Sequence, residues 1–414
     1  MLLSKYLKIF LFILLVVPFS VMGQNNTSSP YSYFGAGELS NVAYGRNLGL
    51  GSTGFALRSQ NALNLKNPAS LTAIDSLSFL FETGVFVKRT QSKSLEQDNH
   101  YTDGNLSHVA LGHRYSNRFM ASYGIMPYSD IGYYFQTSKS VQGNNSLMFT
   151  NWKGYGAINK MFYGLAFKIS ENFSIGNEFA FYYGSINQDR ETYSSVSGRN
   201  FTEFNTTSRY SGVSLMPGFQ YLGNIGDKGS QLIVGAVYSP GHVFFGESDY
   251  TVNQYYGSTV STVFADDPRI DPLNIPQSYG VGVSYTWQGK YLATADYNAE
   301  MWAANGGDYT DRQIYSFGVE RISQNSLDYF DRCAFRAGFR YDNGYFTVRN
   351  YHVTDMRLTL GAGFPIQRSR STINVSVEAG QQGHVGAGLV RQRYAKFSIA
   401  LSFHDYWFLK RKID

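Results

Sequence analysis

Runs of about ten residues that alternate apolar with polar fill this chain, parted in turn by tight polar turns and by long polar stretches. No other feature constrains the fold as strongly. Strict alternation sets one face of a strand in an apolar medium and the other in a polar one. In a bilayer every backbone N–H and C=O must be satisfied between neighbouring strands, so such a sheet closes and the chain shuttles between the membrane faces. The pattern predicts an all-β chain folded as an antiparallel transmembrane β-barrel.

The runs fall at Ser76 to Arg89, Asn105 to Tyr115, Arg118 to Tyr128, Tyr155 to Lys168, Phe173 to Asn187, Thr206 to Leu222 and Gln231 to Phe245. Seven more follow at Gln277 to Trp287, Lys290 to Met301, Arg312 to Ile322, Arg332 to Gly344, Thr354 to Phe364, Thr372 to Gln382 and Arg391 to His404. About fourteen strands result, an even number, as in bacterial barrels. Ser116-Asn117, Ser170-Glu171-Asn172 and Gln288-Gly289 read as tight hairpin turns. Ser129 to Gly154, Gln188 to Asn205 and Gly246 to Pro276 read as long outer loops.

The first residues give Lys5 and Lys8, an apolar stretch from Ile9 to Val17, Pro18, and a small-residue site ending at Gly23. Residues 1–23 therefore read as a secretory signal peptide, with no cysteine near the site to carry a lipid. No later segment has the ~20 apolar residues of a membrane helix. The exported chain is expected in the outer membrane. Residues 24–75, rich in Gly, Asn and Ser with weak periodicity, read as a hatch plugging the lumen; 76–408 as the barrel; and 409–414, with Lys410-Arg411-Lys412, as a short basic periplasmic tail.

Composition agrees, with 16% aromatic residues, 42 glycines and only 16% charged residues, against ~25% charged in ordinary soluble domains. The net charge of +5 shows no basic cluster, which sets nucleic acid aside. The lone Cys333 excludes an internal disulfide. His108 and His113 stand an odd number of positions apart on one strand, so they face opposite ways and share no metal. No nucleophile elbow, phosphate loop or zinc motif occurs, and neither an enzyme nor a cofactor is expected.

Charge placement assigns the faces. Arginine on the lipid face costs ~2–4 kcal/mol at the bilayer midplane, so Arg332, Arg336 and Arg340 of the eleventh run should point into the lumen. Asp296, Glu300, Glu320, Arg357, Glu378 and Lys396 should do the same, with Phe317, Val319, Leu358, Leu360 and Phe397 among the outward partners. These charges of both signs either neutralise one another in a filled lumen or line a substrate path.

Just before the first run stand Gly49-Leu50-Gly51-Ser52-Thr53-Gly54 and then Asn67-Pro68-Ala69-Ser70. This stretch resembles the N-terminal hatch of the FadL/TodX-type outer-membrane transporters of hydrophobic compounds, in which Asn67, Pro68 and Ala69 would close the plug. Ser29 to Gly35, Gly154 to Asn159, Tyr163 to Phe167, Leu273 to Gly282 and Trp407 to Asp414 resemble the Bacteroidetes-type branch of that family. The resemblance implies a fourteen-stranded barrel with the hatch inside. It also implies lateral release of an apolar ligand beside an inward kink of the third strand, where Gly124 and Pro127 fall. The chain departs from the transporter pattern by running on past Trp407-Phe408, and related barrels include accessory subunits of secretion or assembly machines.

Two readings follow. One is a passive transporter of small hydrophobic molecules such as long-chain fatty acids, with an apolar pocket lined by Phe162, Tyr182 and Met216. The other is a structural or accessory barrel within an outer-membrane complex. The expected partners are outer-membrane lipid, a hydrophobic small molecule, and other outer-membrane proteins.

Overall fold

The computed structural model describes residues 27–406, apart from 41–42, 96, 142, 144–145, 197–199, 227–228, 325, 368 and 387–388. The signal peptide expected at 1–23, the tail at 409–414 and the pair Trp407-Phe408 lie outside the described residues.

Fourteen wall strands form among them. They are β1 Ser78–Lys93, β2 Asp98–Arg114, β3 Phe119–Ser140, β4 Leu147–Lys168, β5 Phe173–Ser194 and β6 Phe201–Asn224. Next come β7, Gln231–Ser239 continued as His242–Tyr256, and β8, Leu273–Ile275 continued as Ser278–Trp287. The rest are β9 Tyr291–Glu300, β10 Arg312–Arg321, β11 Ala334–Asp342, β12 Asp355–Pro365, β13 Thr372–Gln382 and β14 Arg391–Tyr406. Each pairs antiparallel with the next, and β14 pairs with β1 from Ser78↔Tyr406 to Lys93↔Arg391. The sheet therefore has no free rim around its lower circumference, which is what a bilayer demands of a β structure.

Alternation decides what faces where. Along β10, Ile314, Ser316 and Glu320 are buried while Phe317 and Val319 are exposed. The outward apolar row continues through Leu358, Leu360, Val377, Phe397 and Ile399. Strands β9 to β13 run 9 to 11 residues, about what a tilted strand needs to cross. Strands β3 to β6 run 22 to 24 residues and stand well clear of that band.

This corrects the reading of the long loops. Most of Ser129 to Gly154 and Gln188 to Asn205 is ladder-paired strand, and within Gly246 to Pro276 the segment Thr259–Ala265 pairs back on His242–Tyr256. Above the bilayer both faces of a strand meet water, so apolar alternation vanishes while the backbone still pairs.

A break interrupts the lower wall at β3. It pairs with β2 only from Arg114↔Met120 up to Val109↔Ile125. From Met126 upward that edge of β3 has no β2 partner, and the two-residue hatch strand Glu38–Leu39 pairs instead with Asp130 and Ser129. Both flanks bulge there, at Ser107 in β2 and at Tyr128 just after Pro127 in β3.

Inside the ring lie residues 27–40 and 43–77, built on short 3-10 turns at Pro30–Tyr33, Gly45–Leu50 and Pro68–Ala73. Rings from two outer turns fold in over this hatch. The fully buried Trp302 packs on Tyr345 at 4.7 Å and Tyr309 at 5.7 Å between centroids. Tyr345 donates to the carbonyl oxygens of Gly37 at 2.5 Å and Phe34 at 3.0 Å.

Candidate functional site

The stoppered lumen is the place where the chain concentrates its buried polar chemistry. Its anchor is Asn67, whose side-chain oxygen accepts from the Ala69 amide at 3.0 Å and caps the turn Pro68–Ala73. The same side chain donates to the Phe55 carbonyl at 2.8 Å within the hatch and to the Phe219 carbonyl at 3.1 Å on β6. Pro68 suits the first position of the turn, where no N–H is needed. Pro68 and Ala69 lie against Gly176 of β5, and a Cβ on that glycine would come within 2.6 Å of the Ala69 nitrogen.

Wall glycines recur at several of the closest approaches of the hatch. A Cβ on Gly318 would sit 2.6 Å from the Leu50 carbonyl oxygen, and Gly338, Gly235 and Gly218 face Gly51, Phe55 and Asn67 more tightly still. Gly51 itself holds φ +65 with β10 and β11 backbone against it. The high glycine content is thus partly a lining that lets two backbones approach.

Charges fill what remains. Towards the periplasmic end, Glu320 receives both Arg46 of the hatch and Arg336 of β11, the latter at 2.8 Å, and Arg336 also donates to Asn374 at 2.8 Å. At mid-height Asp296 accepts from the Gly54 and Phe55 amides at 2.7 and 3.1 Å and pairs with Lys66 at 3.1 Å. Burial draws the Lys66 ammonium below its ordinary range, and Asp296 opposes that shift without cancelling it.

Towards the outer end Arg312 sits between Asp342 at 2.7 Å and Glu300 at 3.3 Å, and Arg340 lies 3.4 Å from Asp342. Arg357 reaches Asp355 at 2.9 Å and Glu378 at 3.3 Å, and Lys396 is 3.7 Å from Glu378. Lys88 of β1 holds Glu38 of the hatch at 2.8 Å. Burial works to raise the Glu38 carboxyl, but Lys88, Thr27 and Lys396 together outweigh it and the group stays below the usual carboxylate range.

Most inward charges named from the sequence therefore stand on wall strands and are paired. Arg332 is the departure: it lies on the short helix Tyr329–Arg332 ahead of β11, where Asp328 caps the helix, not on the strand. Its side chain borders a recess of about 940 Å³ at the periplasmic mouth, with Arg46, Arg58, Glu320, Arg336 and Arg370.

Sequence reasoning missed Arg46, Lys66 and Glu38, because the hatch has no period that assigns a face. It also missed Lys88 and Asp342, although each stands at an inward parity on its own strand.

A second, inner cavity of about 150 Å³ lies beneath the outer end of the lumen. Glu38, Lys88, Asp130, Arg340 and Arg357 line it, and it extends to Pro127 at the break between β2 and β3. Gly124 precedes the break, and a Cβ there would overlap the Val109 carbonyl oxygen of β2. The expected apolar pocket takes another form: Phe162 and Tyr182 are buried in the packed core, while Met216 is half-buried.

This architecture is the FadL-type barrel. The P. putida toluene transporter TodX superposes with a TM-score of 0.61 at 12% identity, covering 90% of this chain and 100% of that one. A Pseudomonas aeruginosa FadL homologue gives 0.62 at 12% over 90% and 100%, and the Ralstonia pickettii toluene transporter TbuX 0.59 at 15% over 89% and 99%. Identities this low establish the fold alone. The BamG family model matches residues 6–414, and the chain belongs to the BamG family. No curated protein matches it significantly.

Proposed function

We propose that the chain serves in an outer membrane as a hatch-gated passive channel for small hydrophobic molecules, with release sideways between β2 and β3. One observation carries this reading: the ladder stops at Val109↔Ile125, beside a bulge on each flank, and the inner cavity reaches that stop. Unpaired backbone at membrane depth costs several kcal/mol per group, so a break kept there calls for a use. Leu106 and Ile125 on its two sides are exposed apolar residues facing lipid.

The inner cavity, at about 150 Å³, is smaller than the ~300 Å³ of small-molecule sites. Passage therefore requires the hatch to shift. TodX and TbuX, which share the fold, are toluene transporters; long-chain fatty acids are a second class of the same character. The residues that would act are Gly124 and Pro127 at the exit, with Asn67, Pro68 and Ala69 holding the hatch. A deletion strain should take up labelled toluene or oleate more slowly than the complemented strain. Equal uptake of both compounds would remove the proposal.

A second reading is favoured by BamG family membership and by the thorough pairing of luminal charge: an accessory barrel in an outer-membrane assembly. It predicts that mild-detergent purification brings other outer-membrane proteins along in fixed ratio. A chain that purifies alone would weaken it.

A further inference from the structure

A second interruption of the wall lies away from β2 and β3. Strands β6 and β7 pair from Asn224↔Gln231 to Gly218↔Val237, and again from Ser211↔Phe245 to Phe201↔Tyr255. Between these stretches Gly212–Pro217 faces Tyr238–Phe244 without ladder pairing. Three residues that lack an amide donor gather there: Pro217 on β6, Pro240 within β7, and Pro276 within β8, where the β7–β8 ladder passes from Ser239↔Ser278 to His242↔Ile275. The paired stretch below, Gly218–Asn224, is about 20 Å long on a tilted strand, which sets the seam inside the ~25 Å apolar band. Its outward side chains agree, since Val213 is 69% and Val243 56% exposed.

On the inner side the seam is closed by one ring. Phe244 is wholly buried, and it packs so closely on Gly212 that a Cβ there would overlap it. Its neighbours are Tyr182 at 4.7 Å, His242 at 5.3 Å and Tyr128 at 5.7 Å between centroids. Tyr128 is the bulged residue of the β3 break. A row of rings thus joins the two interruptions across the lumen. Polar groups border the row: the Tyr182 hydroxyl meets Ser214 at 3.1 Å, the buried Lys160–Glu178 ion pair stands beside Tyr182 on its cross-strand neighbour, and His242 Nε2 is buried without a hydrogen-bond partner.

We infer that the seam between β6 and β7 is a second lateral port, gated by Phe244, through which flat aromatic molecules pass between the bilayer and the ring row ending at Tyr128. The inference rests on the channel reading and adds a place and a ligand class to it. Rings prefer offset or edge contacts at centroid separations of about 4.5–7 Å, so an aromatic guest can replace Phe244 against Tyr182 when that side chain swings away.

The test photolabels the full chain in phosphatidylcholine nanodiscs with iodonaphthyl azide, a flat apolar probe, and maps the adducts by mass spectrometry. Label on Tyr128, Tyr182 or Phe244 reports entry, because these rings do not face lipid. A Cys333→Ser, Val213→Cys, Val243→Cys protein then staples the seam, the two thiols lying two positions beyond the ladder pair Ser211↔Phe245 and on the same outward face. The expected result is inner label in the native chain, lost when the staple is oxidised and regained on reduction. Inner label that persists with the seam stapled overturns this port and leaves the channel reading standing. No inner label in the native chain overturns both. Thiols that fail to join in a folded barrel place the strands otherwise and also overturn the port.

Discussion

Asn67 makes three hydrogen bonds from one buried amide, two of them inside the hatch and one to the wall. Asn67→Ala removes the cap of the turn Pro68–Ala73 and the donor to the Phe219 carbonyl, while the Phe55 carbonyl keeps Gln220 at 2.8 Å, at a cost of about 1–3 kcal/mol in all. Trypsin should then cut the hatch at Arg58 or Lys66 faster than in the native chain, with the barrel core left intact. Glu320 binds two arginines, and Glu320→Ala should cost about 3–5 kcal/mol by leaving Arg46 and Arg336 unpaired, read as a lower urea midpoint in detergent. Glu38 supplies a pH dependence. Its folded pKa is depressed, so its contribution is complete above the ordinary value of 4.5 and is lost as pH falls through the depressed value. Hatch protection from protease should weaken below about pH 4, and Glu38→Gln should flatten that step. At this scale several wall charges were legible, because an arginine on an alternating strand has one tolerated direction, although Lys88 and Asp342 at the same parity were passed over. The hatch charges were not, since nothing in an aperiodic segment says which way Arg46 or Lys66 points.

Among the elements, the lower part of each strand was readable and the upper part was not. Alternation extends only as far as lipid does, so the reading stopped β3 at Tyr128 where the strand runs to Ser140. Arg332 was placed on β11 because it keeps the parity of Arg336, although a one-turn helix holds it. The break in β3 rests on two bulges, not on proline alone. Pro127→Ala should therefore leave the hydrogen-exchange rates of the Met126–Tyr133 amides unchanged, because β2 keeps its own bulge at Ser107. Pro127→Ala combined with deletion of Ser107 should extend the β2–β3 ladder and slow those amides. Gly338→Leu tests the other close approach. It drives a side chain into Gly51 of the hatch, costs about 1–3 kcal/mol by overpacking, and should expose the hatch to trypsin while the barrel stays closed.

The whole molecule is a closed wall around a filled interior, and that combination explains its contradictory composition. A low charged fraction belongs to the lipid face, while the charges at inward positions of the wall are gathered in the lumen, most of them in ion pairs. The family and the fold are therefore compatible with two occupations, one that moves the hatch and one that never does. Locking the hatch to the wall separates them. Thr72 of the hatch and Ser174 of β5 meet through their hydroxyls at 2.8 Å, so Thr72→Cys with Ser174→Cys in a Cys333→Ser background offers a reversible bolt. Uptake of labelled toluene by cells carrying only this protein is predicted to stop when the bolt is oxidised and to resume when it is reduced. Uptake indifferent to the bolt, with the disulfide shown to be formed, would contradict a channel that opens by moving its own beginning.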